Sequence, residues 1–382
     1  MITGIKEKVE AFVSSHIQEA EELLKILGRI PAPSRQEDRR AAFVKDWLLA
    51  QGAEHVHIDS MKNVICEIGA EQHPYLTVFA AHTDIVFPDL EELPMRQEGR
   101  TLYAPGIGDD TANLVNLLLS TKYLLENRPA LDTGFLIVAN TCEEGLGNLD
   151  GTKQVLAAYA DRIEAFYSFD GYLSQCTYIG VGSHRYKISV KVKGGHSWLD
   201  FGRKNAIEVL AQMTEKLYQI PLPEAGEGDR TTYNVGYIQG GTTVNSIAEE
   251  AYILYEYRST SESCLSYMRQ KAAEVFASCE QDCTITTTLL GVRPGNGDLD
   301  KEKLAAFTAQ STEIIQNYYL GDMDYRPFST DSNVPLSKGI VANTIGTVRG
   351  DLAHTREEWI DLDSLSDGMK IILSLMLRHE NV

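Results

Sequence analysis

The chain has 382 residues, 43% of them apolar, and its 54 acidic residues outnumber 35 basic ones for a formal charge of -19. That length exceeds what one core usually holds, so two domains are expected, and the negative charge repels phosphate backbones and argues against a nucleic-acid partner. No run approaches the roughly 18 uninterrupted apolar residues of a membrane span, which argues against a membrane partner, and six cysteines without a CxxC pair read mostly as buried thiols rather than a disulfide framework or thiolate zinc site.

The opening segment, MITGIKEKVEAFVSSHIQEAEELL, carries charges throughout and lacks the apolar block of a signal peptide, so it reads as an amphipathic helix of a cytoplasmic protein. PAPS at 31–34 breaks the chain before a second amphipathic helix, QEDRRAAFVKDWLLAQG, and HVHIDSMKNVICEIG then alternates like strands. Four short runs follow that are apolar on both faces: YLTVFAA (75–81), GFLIVAN (134–140), AFYSF (165–169) and GIVANTIG (339–346). They predict central strands of an α/β fold, a mostly parallel sheet covered by helices. Strand ends in such a sheet face the ligand crevice, so chemistry is sought in the residues directly after each run.

Between about 184 and 294 the pattern becomes strand, helix, two strands, helix and strand, the βαββαβ order of a ferredoxin-like insert. Gly182 and Ser183 on one side, and Arg293, Pro294 and Gly295 on the other, are the expected hinges. The predicted domains are therefore 1–183 with 295–382, and an inserted 184–294.

Polar residues at the strand ends form a series: His82 and Asp84 in AAHTDIV, Asp109 and Asp110 in GIGDDTAN, Glu143 and Glu144 in NTCEEGLG, and Asp170 in SFDGY, with His354 in DLAHTREEW after the last run. A lone HxD is usually structural, and Glu pairs are mostly solvated surface. Placed together at successive strand ends, imidazoles and carboxylates make a ligand set suited to zinc, with carboxylates able to bridge two ions.

The ordered set HTD, GDD, EEG, FDG, GGH and HT resembles the aminoacylase, glutamate carboxypeptidase and peptidase T superfamily of dinuclear zinc hydrolases over almost the whole chain, and is closest to its peptidase T-like members. The resemblance implies a zinc-exopeptidase-type catalytic domain carrying an inserted lid and dimerisation domain. It also implies two divalent metal ions per chain, zinc first and Co2+ or Mn2+ as alternatives. His82 and Asp170 would hold one ion, Glu144 and His354 the other, and Asp109 both. Asp110 competes for that bridging place; the family uses the first Asp of such a pair, joined to the second by a cis peptide. Asp84 would orient His82, as carboxylates beside metal-binding imidazoles do. Glu143 would stay free of metal as the general base, taking a proton from water and delivering it to the leaving amine.

In the insert, His196 of GGHSW is either a turn residue or, by the same resemblance, a group that reaches a partner subunit's active site to stabilise the oxyanion. Asn245 in the GGTTVNS segment would bind a substrate carboxylate or the tetrahedral oxygen. Arg258 is either a grip for a terminal carboxylate or a surface ion pair. Ser329, Thr330 and Asp331 match a substrate loop that usually reads Gly-Thr-Asp, so the glycine is missing here. The resemblance to peptidase T in the TDSN loop and the EEGLGNLDG segment implies an amino-terminal di- or tripeptidase, and the insert, an appended domain with an edge strand, is expected to pair into a homodimer. An N-acyl amino acid deacylase or carboxypeptidase with the same metals is the alternative, and a non-catalytic scaffold the reading of another class. A cysteine hydrolase built on Cys142 lacks a clear histidine partner.

Overall fold

A computed structural model describes residues 3–224, 226, 228–278 and 283–381. The chain divides into one unit of Met1–Ile179 with Asp298–Val382 and a second of Gly180–Gly297.

The first unit is built on a seven-stranded sheet in the order Val56–Ile58, Val64–Ile68, Gly134–Asn140, Leu76–His82, Ile163–Phe169, Val341–Ile345, Cys176–Thr177. Its four middle members run parallel, and the flanking strands are antiparallel. Leu76–His82 and Gly134–Asn140 are buried at every residue, which is why these runs lack the alternation of a one-sided strand. Phe79 stacks on Tyr167 and meets Phe135 edge-on, tying three neighbouring strands together. The helices Thr3–Leu27, Asn113–Asn127 and Ser364–Leu377 pack on one another. Ser364–Leu377 is buried on nearly all sides, so its sequence shows no clear polar stripe. A small antiparallel sheet of Gly350–Asp351, Trp359–Asp361, Thr101–Tyr103 and Arg96–Glu98 joins segments far apart in the chain. Among the described residues no helix is long and apolar enough to cross a membrane.

The second unit is an antiparallel sheet in the order Thr231–Gly240, Glu250–Ser259, Gly182–Val192, Cys283–Arg293, with the helices Ala206–Tyr218 and Glu262–Phe276 between its strands in the chain. This is the order a βαββαβ chain takes in a ferredoxin-like fold. Glu250–Ser259 alternates strictly between buried and half-exposed residues, and Ile253, Tyr255, Leu210, Leu217, Leu265 and Met268 share one core. Asn205 and Ser261 cap the two helices by accepting from Ile207 and Cys264 N–H groups. His184 belongs to this core: its Nδ1 lies 3.0 Å from the Tyr257 hydroxyl, and burial pushes its pKa down to about 4.

Cys66, Cys142, Cys176 and Cys264 are buried free thiols, as expected of most of the cysteines, and Cys283 is disulfide-bonded. Absence of a CxxC pair does not preclude a single crosslink at a strand end. Cys279 lies outside the described residues.

Candidate active site

The parallel strands of the first unit end on one side of the sheet and deliver His82, the Glu143–Glu144 turn and Asp170 together. Thr83 N–H donates to the Asn140 carbonyl at 2.7 Å and Asp170 N–H to that of Ile345 at 3.1 Å, fastening each strand end to its neighbour. Asp109 comes from the turn before helix Asn113–Asn127, and its peptide bond to Asp110 is cis. His354, with φ +64°, lies on the loop between Gly350–Asp351 and Trp359–Asp361.

Two groups of donor atoms converge and share Asp109: His82, Asp109 and Asp170 in one, Asp109, Glu144 and His354 in the other, each within 4.8 Å of one another. Glu143 joins His82 and Glu144 in a third such group. One oxygen of Asp109 is 3.0 Å from His82 Nε2 and the other 3.2 Å from His354 Nε2, so this single carboxylate faces both imidazoles. Asp110 points elsewhere, its Oδ2 accepting from the His82 backbone N–H at 2.8 Å. Asp109, rather than Asp110, is thus the aspartate that faces both imidazoles.

Asp84 sits against His82 in a different manner from the one expected. The ring Nδ1 is 3.0 Å from the Asp84 main-chain oxygen and 3.5 Å from its carboxylate. That carboxylate accepts instead from Ser34 Oγ at 2.6 Å and from the N–H groups of Glu143 and Glu144 at 3.0 and 2.9 Å. Asp84 therefore supports the ring with its backbone and the glutamate turn with its side chain.

A divalent cation fits this donor set. A carbonyl only accepts, so the Asp84 main chain takes the Nδ1 proton of His82, while Nε2 donates to Asp109 Oδ1 at 3.0 Å, a proton that a bound cation would replace. Glu144 Oε1 is buried without a hydrogen bond, 3.2 Å from His354 Nε2. Burial, then the charge of Asp109, pushes Glu144 up to about 7 and Asp170 well above the carboxylate range. Burial works against Asp109 too, but the hydrogen bonds with His354 and His82 hold it well below that range. Asp109, and then the nearby Glu144 carboxylate, raise His354 to about 11. Converging anionic donors with too few protons to pair them are what a cation satisfies.

Other predicted residues lie outside these groups. Asp331 is fully buried and both of its oxygens accept, from Asn140 Nδ2 at 2.6 Å and Thr152 Oγ1 at 2.5 Å; Thr330 pairs with the Thr344 hydroxyl at 2.7 Å. The polar atoms of both residues are thus engaged within the fold. In the second unit Arg258 forms two hydrogen bonds to Glu256, at 2.9 and 3.2 Å, the ion-pair alternative of the sequence reading. His196 ends the two-residue strand Gly195–His196, which pairs with Ser246–Ile247 directly after Asn245, and Ser197 N–H donates to the Asn245 carbonyl at 3.0 Å. His196 Nδ1 accepts from the Trp198 and Leu199 N–H groups, leaving its Nε2 as the donor, and Trp198 is 82% exposed.

Sequence reasoning missed several residues that shape the site. Arg40 is fully buried and donates to the Ile30 and Thr83 carbonyls and to Thr111 Oγ1. Asn113 donates to the carbonyls of Gly108 and Gly171 and accepts from Thr347, tying the turns of Asp109 and Asp170 together. Glu358 accepts from the N–H groups ahead of Asp109. Asn113 and Glu358 lie within the GIGDDTAN and DLAHTREEW segments, but neither segment gave them a role.

The second, independent line is comparison with known proteins. A tripeptidase from Staphylococcus aureus is similar in structure with a TM-score of 0.75 at 20% identity, covering 95% of this chain and 99% of that one. A dinuclear metal-binding peptidase of Bacillus subtilis gives 0.62 at 14% identity over 95% and 99%. A succinyl-diaminopimelate desuccinylase of Nitrosococcus oceani is 26% identical over 64% of this chain and 69% of its own length. Residues 78–378, which include every member of the two donor groups, match peptidase family M20/M25/M40. With that match spanning most of the chain, and a donor set that fits two metal ions, the protein belongs to peptidase family M20/M25/M40 and is a metal-dependent hydrolase.

Proposed function

We propose that this protein is an exopeptidase of short peptides, cleaving di- or tripeptides near a free amino terminus with two divalent metal ions, zinc first. The observation that carries the reading is the Asp109 carboxylate facing His82 and His354 at 3.0 and 3.2 Å. His82 and Asp170 would hold one ion, Glu144 and His354 the other, and Asp109 both. Such ions supply Lewis-acid polarisation of the scissile carbonyl and a lowered pKa for the attacking water.

Glu143 takes the proton from that water and passes it to the leaving amine. Its backbone N–H is held by Asp84, and its side chain is grouped with His82 and Glu144 without belonging to either proposed ligand set. Asp84 orients the His82 ring through its main-chain oxygen. His196, held as the Nε2–H tautomer, donates to the developing oxyanion, and Asn245 assists from the neighbouring loop. We expect a homodimer through the second unit, whose outer strands Thr231–Gly240 and Cys283–Arg293 present uncharged edges over most of their length.

Likeness to a tripeptidase over nearly the whole chain supports short peptides as substrates, while likeness to a desuccinylase supports deacylation of an N-acyl amino acid as the second reading. Comparing a free tripeptide with its N-acetylated and C-amidated forms tests the choice. Acetylation should abolish cleavage and amidation should be tolerated; the reverse pattern would replace the aminopeptidase reading with the deacylase or carboxypeptidase one.

A further inference from the structure

Glu358 has no exposed surface, and its carboxylate gathers three backbone N–H groups from one loop. Gly106 N–H donates to Oε2 at 2.9 Å; Gly108 and Asp109 N–H donate to Oε1 at 2.8 and 2.7 Å. Successive amides aimed at one point form an anion-holding concavity, filled here by a side chain of the protein itself. The loop is shaped to permit this. Gly106 takes φ +69°, and a Cβ on Gly108 would lie 2.6 Å from Tyr172 Cε1 and 3.2 Å from Glu358 Oε1. Asp109 itself departs from helical geometry at φ -112° and ψ 87°, so the following helix does not dictate where it points.

Glu358 also lies four residues beyond His354 and directly before the strand Trp359–Asp361, which pairs with Thr101–Tyr103 at the entry to the same loop. Its main-chain oxygen accepts from Ala104 N–H at 3.1 Å. One residue therefore joins the segment carrying His354 to the segment carrying Asp109.

We propose that Glu358 is the positioning residue for the metal-bridging carboxylate: by holding the amides of Gly106, Gly108 and Asp109 it aims Asp109 at both imidazoles. The role rests on the reading of Asp109 as a shared ligand. An amide in its place offers one acceptor oxygen where the carboxylate offers two, which frees the loop to rotate and would take from both ions the ligand they share. Groups that orient metal ligands commonly change affinity by about 10- to 100-fold.

The test titrates Zn2+ into metal-stripped chain by calorimetry, alongside the melting temperature of the metal-free protein. Glu358→Gln should bind both ions about 10- to 100-fold more weakly, with excess Zn2+ restoring part of the activity. A purely structural role would lower the melting temperature and leave affinity at the wild-type value, which would overturn the proposal. Should Glu358→Gln not fold, Glu358→Asp, which keeps the charge but shortens the reach, carries the same criterion. Asp109→Asn separates the two ideas. If it binds Zn2+ as the wild type does, the shared-ligand reading falls and the positioning role with it; if it loses both ions while Glu358→Gln keeps them, the positioning role alone is wrong.

Discussion

Glu143 and Glu144 are neighbours in sequence with separate proposed duties, and substitution can tell them apart. Glu143→Gln should retain two metal ions and its melting temperature while losing roughly 10²- to 10⁴-fold in turnover, the usual scale for general-base removal; near-normal turnover at neutral pH would put the base elsewhere. Glu144→Ala or His354→Ala should instead lose one ion by elemental analysis, and a variant holding two would remove that residue from the ligand set. Asn113 makes a stability prediction, since its amide serves Gly108, Gly171 and Thr347 inside the core. Asn113→Ala strands buried polar partners and should cost about 2–3 kcal/mol in urea unfolding. A midpoint unchanged from wild type would mean that water replaces the amide. At this scale the sequence was legible where function concentrates residue types into short words such as HTD and EEG. It was silent on Ser34, Asn113 and Glu358, whose partners lie 50, 234 and 250 residues away and include backbone groups that leave no trace in composition.

Elements were read well where their pattern is local. The four apolar runs became the parallel heart of the first sheet because burial on both faces removes alternation, and the βαββαβ order dictated a sheet whose register needs no distant information. Less legible was the small sheet joining Thr101–Tyr103 to Trp359–Asp361, built from strands of three residues with no period to detect. The second unit offers a pH test through His184, which faces the Tyr186 and Tyr257 hydroxyls and the charge of Arg269. Burial lowers its pKa from 6.5 to about 4, so the folded state prefers the neutral ring. The unfolded chain then binds the extra proton between those values. Stability should be full above about pH 6.5 and fall as the pH drops toward 4, by on the order of 1–3 kcal/mol relative to a His184→Gln reference. Equal pH slopes for the two proteins in denaturant unfolding would show that His184 charges freely within the fold.

The whole molecule makes the strongest demand on assembly. If His196 acts on a partner's site, inactive His196→Ala mixed with inactive Glu143→Gln should regain activity in heterodimers, because one site recovers both groups. Proven subunit exchange without recovery would place His196 in its own chain's chemistry or outside it. Chain order adds a consequence of where Val341–Ile345 lies, between Ile163–Phe169 and Cys176–Thr177 in the sheet. During synthesis on the ribosome, the strands that flank this slot emerge long before the strand that fills it, separated by the entire second unit. The second unit has its own core and is free to fold while the nascent first unit still shows an open slot with unpaired backbone on Phe169's strand. Only after residue 345 has cleared the exit tunnel can the slot close, and only later still do His354 and Glu358 arrive. The order of translation thus delivers the proposed ligand His354 only after the rest of the donor set and the whole second unit have been made.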